Sequence, residues 1–223
     1  MVLNMLPSPD AQPRLASAGQ LGEEAASPVL WLVRHGESTW NARGLAQGQS
    51  DQPRLTRRGA RQAHHAARQL RGCPIGAVYA SDLWRAVDTA APVADVLGLD
   101  FTRDSRLRER ALGVLEGSRS VAVPAALSGV AGERVIDPDA RPPEGESLRD
   151  LYWRVAGFAD ELLAAAPPPR EVAVVAHGGT LRVLTAYLTG VPVERMTWEP
   201  VANGSVVRLS PQPPRLFTRK EHP

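Results

Sequence analysis

The chain has one cysteine, Cys73, so no intrachain disulfide can form and no multi-cysteine metal site exists. It has one lysine, Lys220, so all but one of its 26 basic residues are arginine, which reads as coding bias rather than as a binding surface. Aromatic residues are sparse, at 5%. A nucleic-acid-binding face needs basic residues interleaved with aromatics, and here 24 acids nearly balance the bases to leave a net charge of +2. Nucleic acid and an anionic membrane are therefore not expected partners. No apolar run approaches the roughly 18 residues of a membrane span. What remains is globular: 223 residues, 43% hydrophobic and 22% charged. A chain of this length buries roughly 70–75% of its unfolded surface in one substantial domain.

Residues 1–27 are rich in Pro, Ala, Ser and Gly without periodicity, and are expected to be a disordered lead. The 7–15-residue apolar core of an export signal is missing there, so a cytoplasmic setting is the default. From residue 28 onward strand and helix patterns alternate. Val29–Val33 is a short apolar run suited to a strand buried on both faces. Thr56 can cap a helix to Leu70 that carries Ala60, Ala63, Ala67 and Leu70 on one face. Ile75–Ala80 reads as a second strand. Ser81 and Asp82 open a helix through Leu97, which Pro92 should kink or split. Ser147-Leu-Arg-Asp150 resembles a capping box, and Pro167–Pro169 should stop the helix behind it. Glu171–Ala176 is a third strand, Thr180–Thr189 a helix closed by Gly190, and Val206–Leu209 a late strand. The pattern predicts a single α/β domain over 28–223, its mostly parallel central sheet flanked by helices on both faces. Residues 118–144 lack a clear period and are expected to form a lid-like insertion.

Three of these strands end in polar residues that a core cannot use. The first runs into Arg34-His35-Gly36-Glu37-Ser38, the second into Ser81-Asp82 with Arg85 one turn on, the third into His177-Gly178-Gly179. In a parallel sheet the carboxyl ends share one rim, where ligands bind. Two histidines and two arginines should therefore converge there. Arginine forks match phosphate oxygens, helix N-termini add amide donors, and an imidazole among them can attack phosphorus. Composition and spacing reach an anion pocket containing an imidazole; they do not fix the reaction.

Arg34-His35-Gly36-Glu37-Ser38-Thr39-Trp40-Asn41 resembles the signature of the histidine phosphatase superfamily, in the branch that includes the cofactor-dependent phosphoglycerate mutases. The similarity continues through Gln47-Gly48, Leu55-Thr56, Ser81-Asp82-Leu83, Arg85-Ala86, Leu107-Arg108-Glu109, Glu116-Gly117, Gly145-Glu146-Ser147 and His177-Gly178-Gly179. The resemblance implies a phosphoglycerate mutase-like fold and a reaction through phosphohistidine. It implies His35 as the nucleophile, its proton held on the other ring nitrogen by a backbone carbonyl, with Gly36 leaving room for the ring. It implies Arg34, Arg85 and a charged His177 as the phosphoryl grip, and Asn41 and the Gly178 amide as further donors. Gln47 and Gly48 are the expected substrate contacts. Glu109 matches the acid that protonates the leaving oxygen and then activates water. Arg108 and Arg110 flank Glu109 and could instead pair with it, and Glu116 either braces the pocket or touches substrate. His64, His65 and Cys73 are expected to be inert.

The mutases carry, after the catalytic glutamate, an insert with lysine and paired arginines that hold the far end of a phosphoglycerate. Here that stretch reads Arg110-Ala111-Leu112-Gly113, and no lysine follows before Lys220. This favours a phosphatase acting on a small phosphorylated metabolite, with no cofactor and no metal. A mutase, or a binding member of the fold with weak catalysis, is the alternative. The loop Asp51–Thr56 is one residue longer than the usual pattern. Monomer and homodimer both remain open.

Overall fold

A computed structural model describes residues 28–124, 127, 137–165 and 171–210. The expected lead, residues 1–27, and the stop at Pro167–Pro169 lie outside them, as does part of the 118–144 insertion. Five strands form one sheet: β1 Val29–Arg34, β2 Ala77–Ala80, β3 Phe101–Arg103, β4 Glu171–Ala176 and β5 Val206–Leu209. Their order is β3-β2-β4-β1-β5. The first four are mutually parallel, and β5 runs antiparallel to β1. β4 sits in the centre, and Val172 through Ala176 are wholly buried. A strand covered on both faces needs an uninterrupted apolar run, and this one has it.

Helices cover both faces. Leu30, Leu32, Val172 and Val174 pack in a core with α4 (Leu148–Ala164) and α5 (Gly178–Leu188). On the opposite face Val33, Val78, Ala173 and Val175 pack with α2 (Arg57–Leu70) and α3 (Trp84–Leu97). The fold is thus the expected α/β domain. The one-residue alternation along β1 and β4 sends consecutive side chains to opposite cores. A short α1, Thr39–Ala42, and the three-residue β3 were not anticipated; neither is long enough to show a period.

Local chemistry explains the boundaries. Thr56 caps α2, its hydroxyl accepting from the Gly59 amide at 3.0 Å. Ala60, expected on the buried face of α2, is exposed, and Ala66 takes its place. Ser147 and Asp150 form the capping box of α4, with reciprocal bonds of 3.1 and 2.7 Å. β2 starts two residues later than read, at Ala77, and α5 two residues earlier, at Gly178. α3 starts at Trp84 rather than at Ser81, because Ser81 is occupied elsewhere. Pro92 does not split α3, which runs on to Leu97 and ends at Gly98 with φ +68°. A proline removes one intrahelical bond, and the burial of Val87, Ala90, Val93 and Ala94 outweighs that loss.

Gly36 also serves the packing of α2. A Cβ on it would lie 2.3 Å from the carbonyl oxygen of Gly59, and one on Gly59 would lie 2.0 Å from the carbonyl oxygen of Glu37. Gly36 therefore makes room for the first turn of α2. Two backbones meet here with no side chain between them. Gly59→Ala is expected to cost about 2–3 kcal/mol, since backbone must move to admit the methyl group. Thermal unfolding should show a fall of several degrees; an unchanged midpoint would refute the close approach.

Candidate active site

β1, β2 and β4 end at Arg34, Ala80 and Ala176, so the next residues, His35, Ser81 and His177, share one rim. His35 is buried, and its Nδ1 lies 2.7 Å from the carbonyl oxygen of Gly36. That carbonyl can only accept, so it fixes the proton on Nδ1 and leaves Nε2 with a lone pair. Gly36 N–H donates to Thr89 Oγ1 at 3.1 Å, which pins the turn. The His35 carbonyl accepts from Asn203 Nδ2 at 3.1 Å. Burial first, then the positive charges of Arg85 and Arg34, hold the His35 imidazole well below its ordinary pKa. The ring is therefore neutral, as an attacking nitrogen must be.

His177 lies beside it, with ring centroids 5.1 Å apart and planes inclined by 58°. Its Nε2 is 2.8 Å from Ser81 Oγ. Ser81 Oγ also accepts from the Leu83 amide at 3.3 Å, which leaves its hydroxyl hydrogen for His177. In the tautomer in which Ser81 donates to Nε2, the ring proton sits on Nδ1. Burial, followed by Arg85, His35 and Arg34, pushes the His177 pKa well down, whereas the charge expected on it belongs to the state in which it grips a phosphoryl group.

Arg85 is buried and bonds the carbonyl oxygens of Ser50 and Gly48, each at 2.8 Å. Burial lowers its pKa to about 10, against the opposing pull of Glu109, Asp51 and Glu116. It remains charged at neutral pH. Arg34 donates from Nη1 to the carbonyl oxygen of Val201. Among the described residues, four buried side-chain polar atoms have no hydrogen-bond partner, and three of them are Arg34 Nε, Arg85 Nε and His177 Nδ1. Each such donor costs about 1–3 kcal/mol unless something accepts from it.

Glu109 completes the rim. Its two carboxylate oxygens accept from the amides of Arg110 and Gly179, both at 2.9 Å. Arg108 pairs with Asp82 at 2.7 Å, and among the described residues neither Arg108 nor Arg110 forms a salt bridge with Glu109. The segment is held from behind by Arg154 on α4. Its guanidinium donates to the carbonyl oxygens of Arg106, Arg108 and Glu109 and pairs with Glu146 at 2.7 Å. Glu116 accepts from the amides of Gln49 and Leu112, at 2.8 and 3.1 Å, and so braces the wall.

A cleft of about 230 Å³ joins these groups. Arg34, His35, Asn41, Gln47, Gly48, Arg85, Glu109, His177 and Gly178 all line it. Asn41 Oδ1 is occupied by Ser38 and Asn203, so Nδ2 is the group it can offer a ligand. Gln47 accepts from Ser38 Oγ at 2.7 Å. Gly48 has φ +48° and stands against Glu116, where a Cβ would lie 2.1 Å from Oε1. Gly178 opens α5, whose N-terminus favours an anion. Ser120, Val123 and Leu127, from the expected insertion, line the cleft as well. Arg110, from the stretch directly after Glu109, and Arg182 on α5 also line it. Ser81, Thr89, Arg154 and Asn203 were missed as supporting residues. Only Ser81 carried a signal, a polar residue at a strand end. His64 and His65 are exposed and Cys73 is half-buried with no contact to the site. Among the described residues no group of three or more His, Cys, Asp or Glu side chains could hold a metal ion, and no helix is long and apolar enough to cross a membrane.

Two histidines and two arginines line a cleft at the carboxyl rim of the mostly parallel sheet of this α/β protein, where ligands of such sheets bind. The chain belongs to the histidine phosphatase superfamily (branch 1), whose profile matches residues 30–220. It is 38% identical over 184 residues to a protein of Yersinia pestis (strain Pestoides F) named probable phosphoglycerate mutase GpmB, covering 82% of this chain and 85% of that one. Its structure resembles mycobacterial glucosyl-3-phosphoglycerate phosphatase, with TM-score 0.68 and 32% identity over 82% of this chain and 90% of the other. It also resembles a putative alpha-ribazole-5'-P phosphatase from Escherichia coli K-12, with TM-score 0.67, 29% identity and coverage of 82% and 89%.

Proposed function

We propose that this protein hydrolyses phosphomonoesters of small metabolites through a phosphohistidine at His35, without a metal or cofactor. The observation that carries this reading is the set of unpartnered buried donors, Arg34 Nε, Arg85 Nε and His177 Nδ1, around a neutral imidazole. A phosphoryl group offers acceptors to all three and brings the negative charge that would raise the pKa of His177. His35 Nε2 attacks phosphorus, and the ester P–O bond breaks as the leaving oxygen takes a proton from Glu109. Water then attacks the phosphohistidine, gives a proton to Glu109, and the N–P bond breaks to return neutral His35. Arg34, Arg85 and His177 stabilise the transferring group, with Asn41 and the Gly178 amide as added donors. Gln47 and Gly48 line the substrate side. The phosphatase neighbours support hydrolysis, and the single cysteine supports a cytoplasmic setting.

The mutase named among the relatives supplies the competing reading, in which phosphate returns to the organic product. Phosphate release and conversion of 3- to 2-phosphoglycerate would be followed in the same samples, with chelator present. Release is expected to outrun isomerisation, and chelator should change the rate by no more than about twofold, because fixed cations replace the metal. Isomerisation outrunning release would make the protein a mutase. Loss of activity in chelator that magnesium or zinc restores would overturn the metal-free pocket.

A further inference from the structure

We infer that Gln62 is a positioning residue for the nucleophile: acting through one peptide unit, its carboxamide oxygen strengthens the hydrogen bond that holds His35 and so speeds attack on phosphorus. This deepens the phosphatase reading and rests on it. The peptide between Gly36 and Glu37 is bonded at both ends. Its carbonyl, on Gly36, faces His35 Nδ1 at 2.7 Å, and its N–H, on Glu37, donates to Gln62 Oε1, also at 2.7 Å. An amide N–H can only donate, so the atom of Gln62 that meets it is the oxygen. Carboxamide, peptide and imidazole thus form one chain. Each bond in such a chain polarises the next. An acceptor on the Glu37 N–H draws charge toward the Gly36 oxygen and makes it a better acceptor for the Nδ1 proton.

The fold explains how a helix residue reaches this peptide. Gly36 and Gly59 let the backbone after His35 lie against the first turn of α2, and Gln62 stands one turn beyond Gly59 on the same side. The neighbouring peptides are fixed as well. The Glu37 carbonyl accepts from the Thr56 amide at 2.9 Å, and the Gly36 amide donates to Thr89 Oγ1 at 3.1 Å. Gln62 also abuts the turn at Gly204, where an added Cβ would lie 2.7 Å from the Gln62 Cβ. The Gly204 amide donates in turn to the carbonyl oxygens of Arg34 and His35, at 3.1 and 3.2 Å. Gln62 is therefore wedged between the two segments that shape the end of β1.

Electrostatics give the chain its use. Burial, Arg85 and Arg34 all oppose a positive charge on His35, while the bond to the Gly36 carbonyl favours it. As Nε2 bonds to phosphorus and the ester P–O bond breaks, Nδ1 keeps its proton and the ring becomes a phosphorylated imidazolium. A stronger acceptor at Nδ1 stabilises that charge and lowers the barrier to attack. Hydrolysis breaks the N–P bond and returns the ring to neutrality, so the same acceptor gives that step no help. Loss of the Gln62 oxygen should slow the first step and not the second.

The test separates the two steps by rapid quenching of the full chain with labelled nitrophenyl phosphate, following formation and decay of the phosphoenzyme. Gln62→Met is similar in size but lacks a strong acceptor; it should slow formation about 10-fold or more and leave decay unchanged or faster. Gln62→Glu keeps an acceptor oxygen and should form the phosphoenzyme at no less than about a third of the wild-type rate. Ala60→Gly weakens the exposed side of the same helix and should leave both rates unchanged. Equal slowing of both steps in Gln62→Met, formation within about twofold of wild type, or the same loss in Ala60→Gly would each reduce Gln62 to a structural part and overturn the proposal. A second readout needs no turnover. In isotope-labelled protein the His35 Nδ1 proton, identified by its disappearance in His35→Ala, should give a low-field resonance that moves upfield in Gln62→Met and downfield in Gln62→Glu. A resonance that stays in place overturns the proposal, and the glutamate variant alone decides should the methionine variant fail to fold. If no ester releases phosphate, the phosphatase reading fails by itself, and this resonance still decides on Gln62.

Discussion

His35→Ala is expected to abolish turnover and, with it, the covalent phosphoenzyme. The imidazole is presented by β1, held by the Gly36 carbonyl on one nitrogen, and kept neutral so that the other can attack. Alanine removes the attacking atom and leaves the arginine cradle in place, so binding of phosphate should survive while catalysis does not. Labelled substrate quenched into base should leave acid-labile, base-stable label on the wild type and none on the variant. Label retained by the variant, or turnover above about 1% of wild type, would place the nucleophile elsewhere.

Glu109→Gln should slow turnover by roughly 10²–10⁴-fold. Glutamine keeps the size and one acceptor oxygen, but it cannot give a proton to the leaving oxygen or take one from water. The two amides that hold Glu109 fix where the carboxylate sits, so the loss should be chemical rather than positional. The discriminating measurement is the leaving-group dependence. Alkyl phosphates, whose alkoxides need a proton, should suffer most, and nitrophenyl phosphate least. A small loss, equal for all leaving groups, would show that Glu109 only supports the wall.

The layers of the fold were legible because β1 and β4 are continuous apolar runs and α2 and α4 carry clear caps at Thr56 and Ser147. The candidate site was legible because His35, Ser81 and His177 are polar residues at strand ends, a pattern with no use in a core. Other features depend on partners distant in sequence. Arg154 reads as an ordinary helix arginine until its carbonyl acceptors, more than 40 residues away, are in view. Asn203 and Thr89 act by single hydrogen bonds to backbone, which leave no spacing to detect. Gly36 was visible as a glycine, but what it admits is another segment's carbonyl. The burial that depresses the His177 pKa was likewise not in the sequence.

The grip of Arg154 on the carbonyls of Arg106, Arg108 and Glu109 divides the cleft into unlike jaws. One, carrying Glu109 and Arg110, is bolted to a helix whose far side is core: Leu151, Val155 and Phe158 are buried under it. That jaw cannot follow a larger or smaller ester without disturbing the core. Adaptation to a new substrate then falls to the opposite jaw, where Ser120, Val123 and Leu127 contribute side chains without such an anchor among the described residues. Directed evolution of specificity should therefore collect its substitutions around residues 120–127, while those on α4 trade activity against folding.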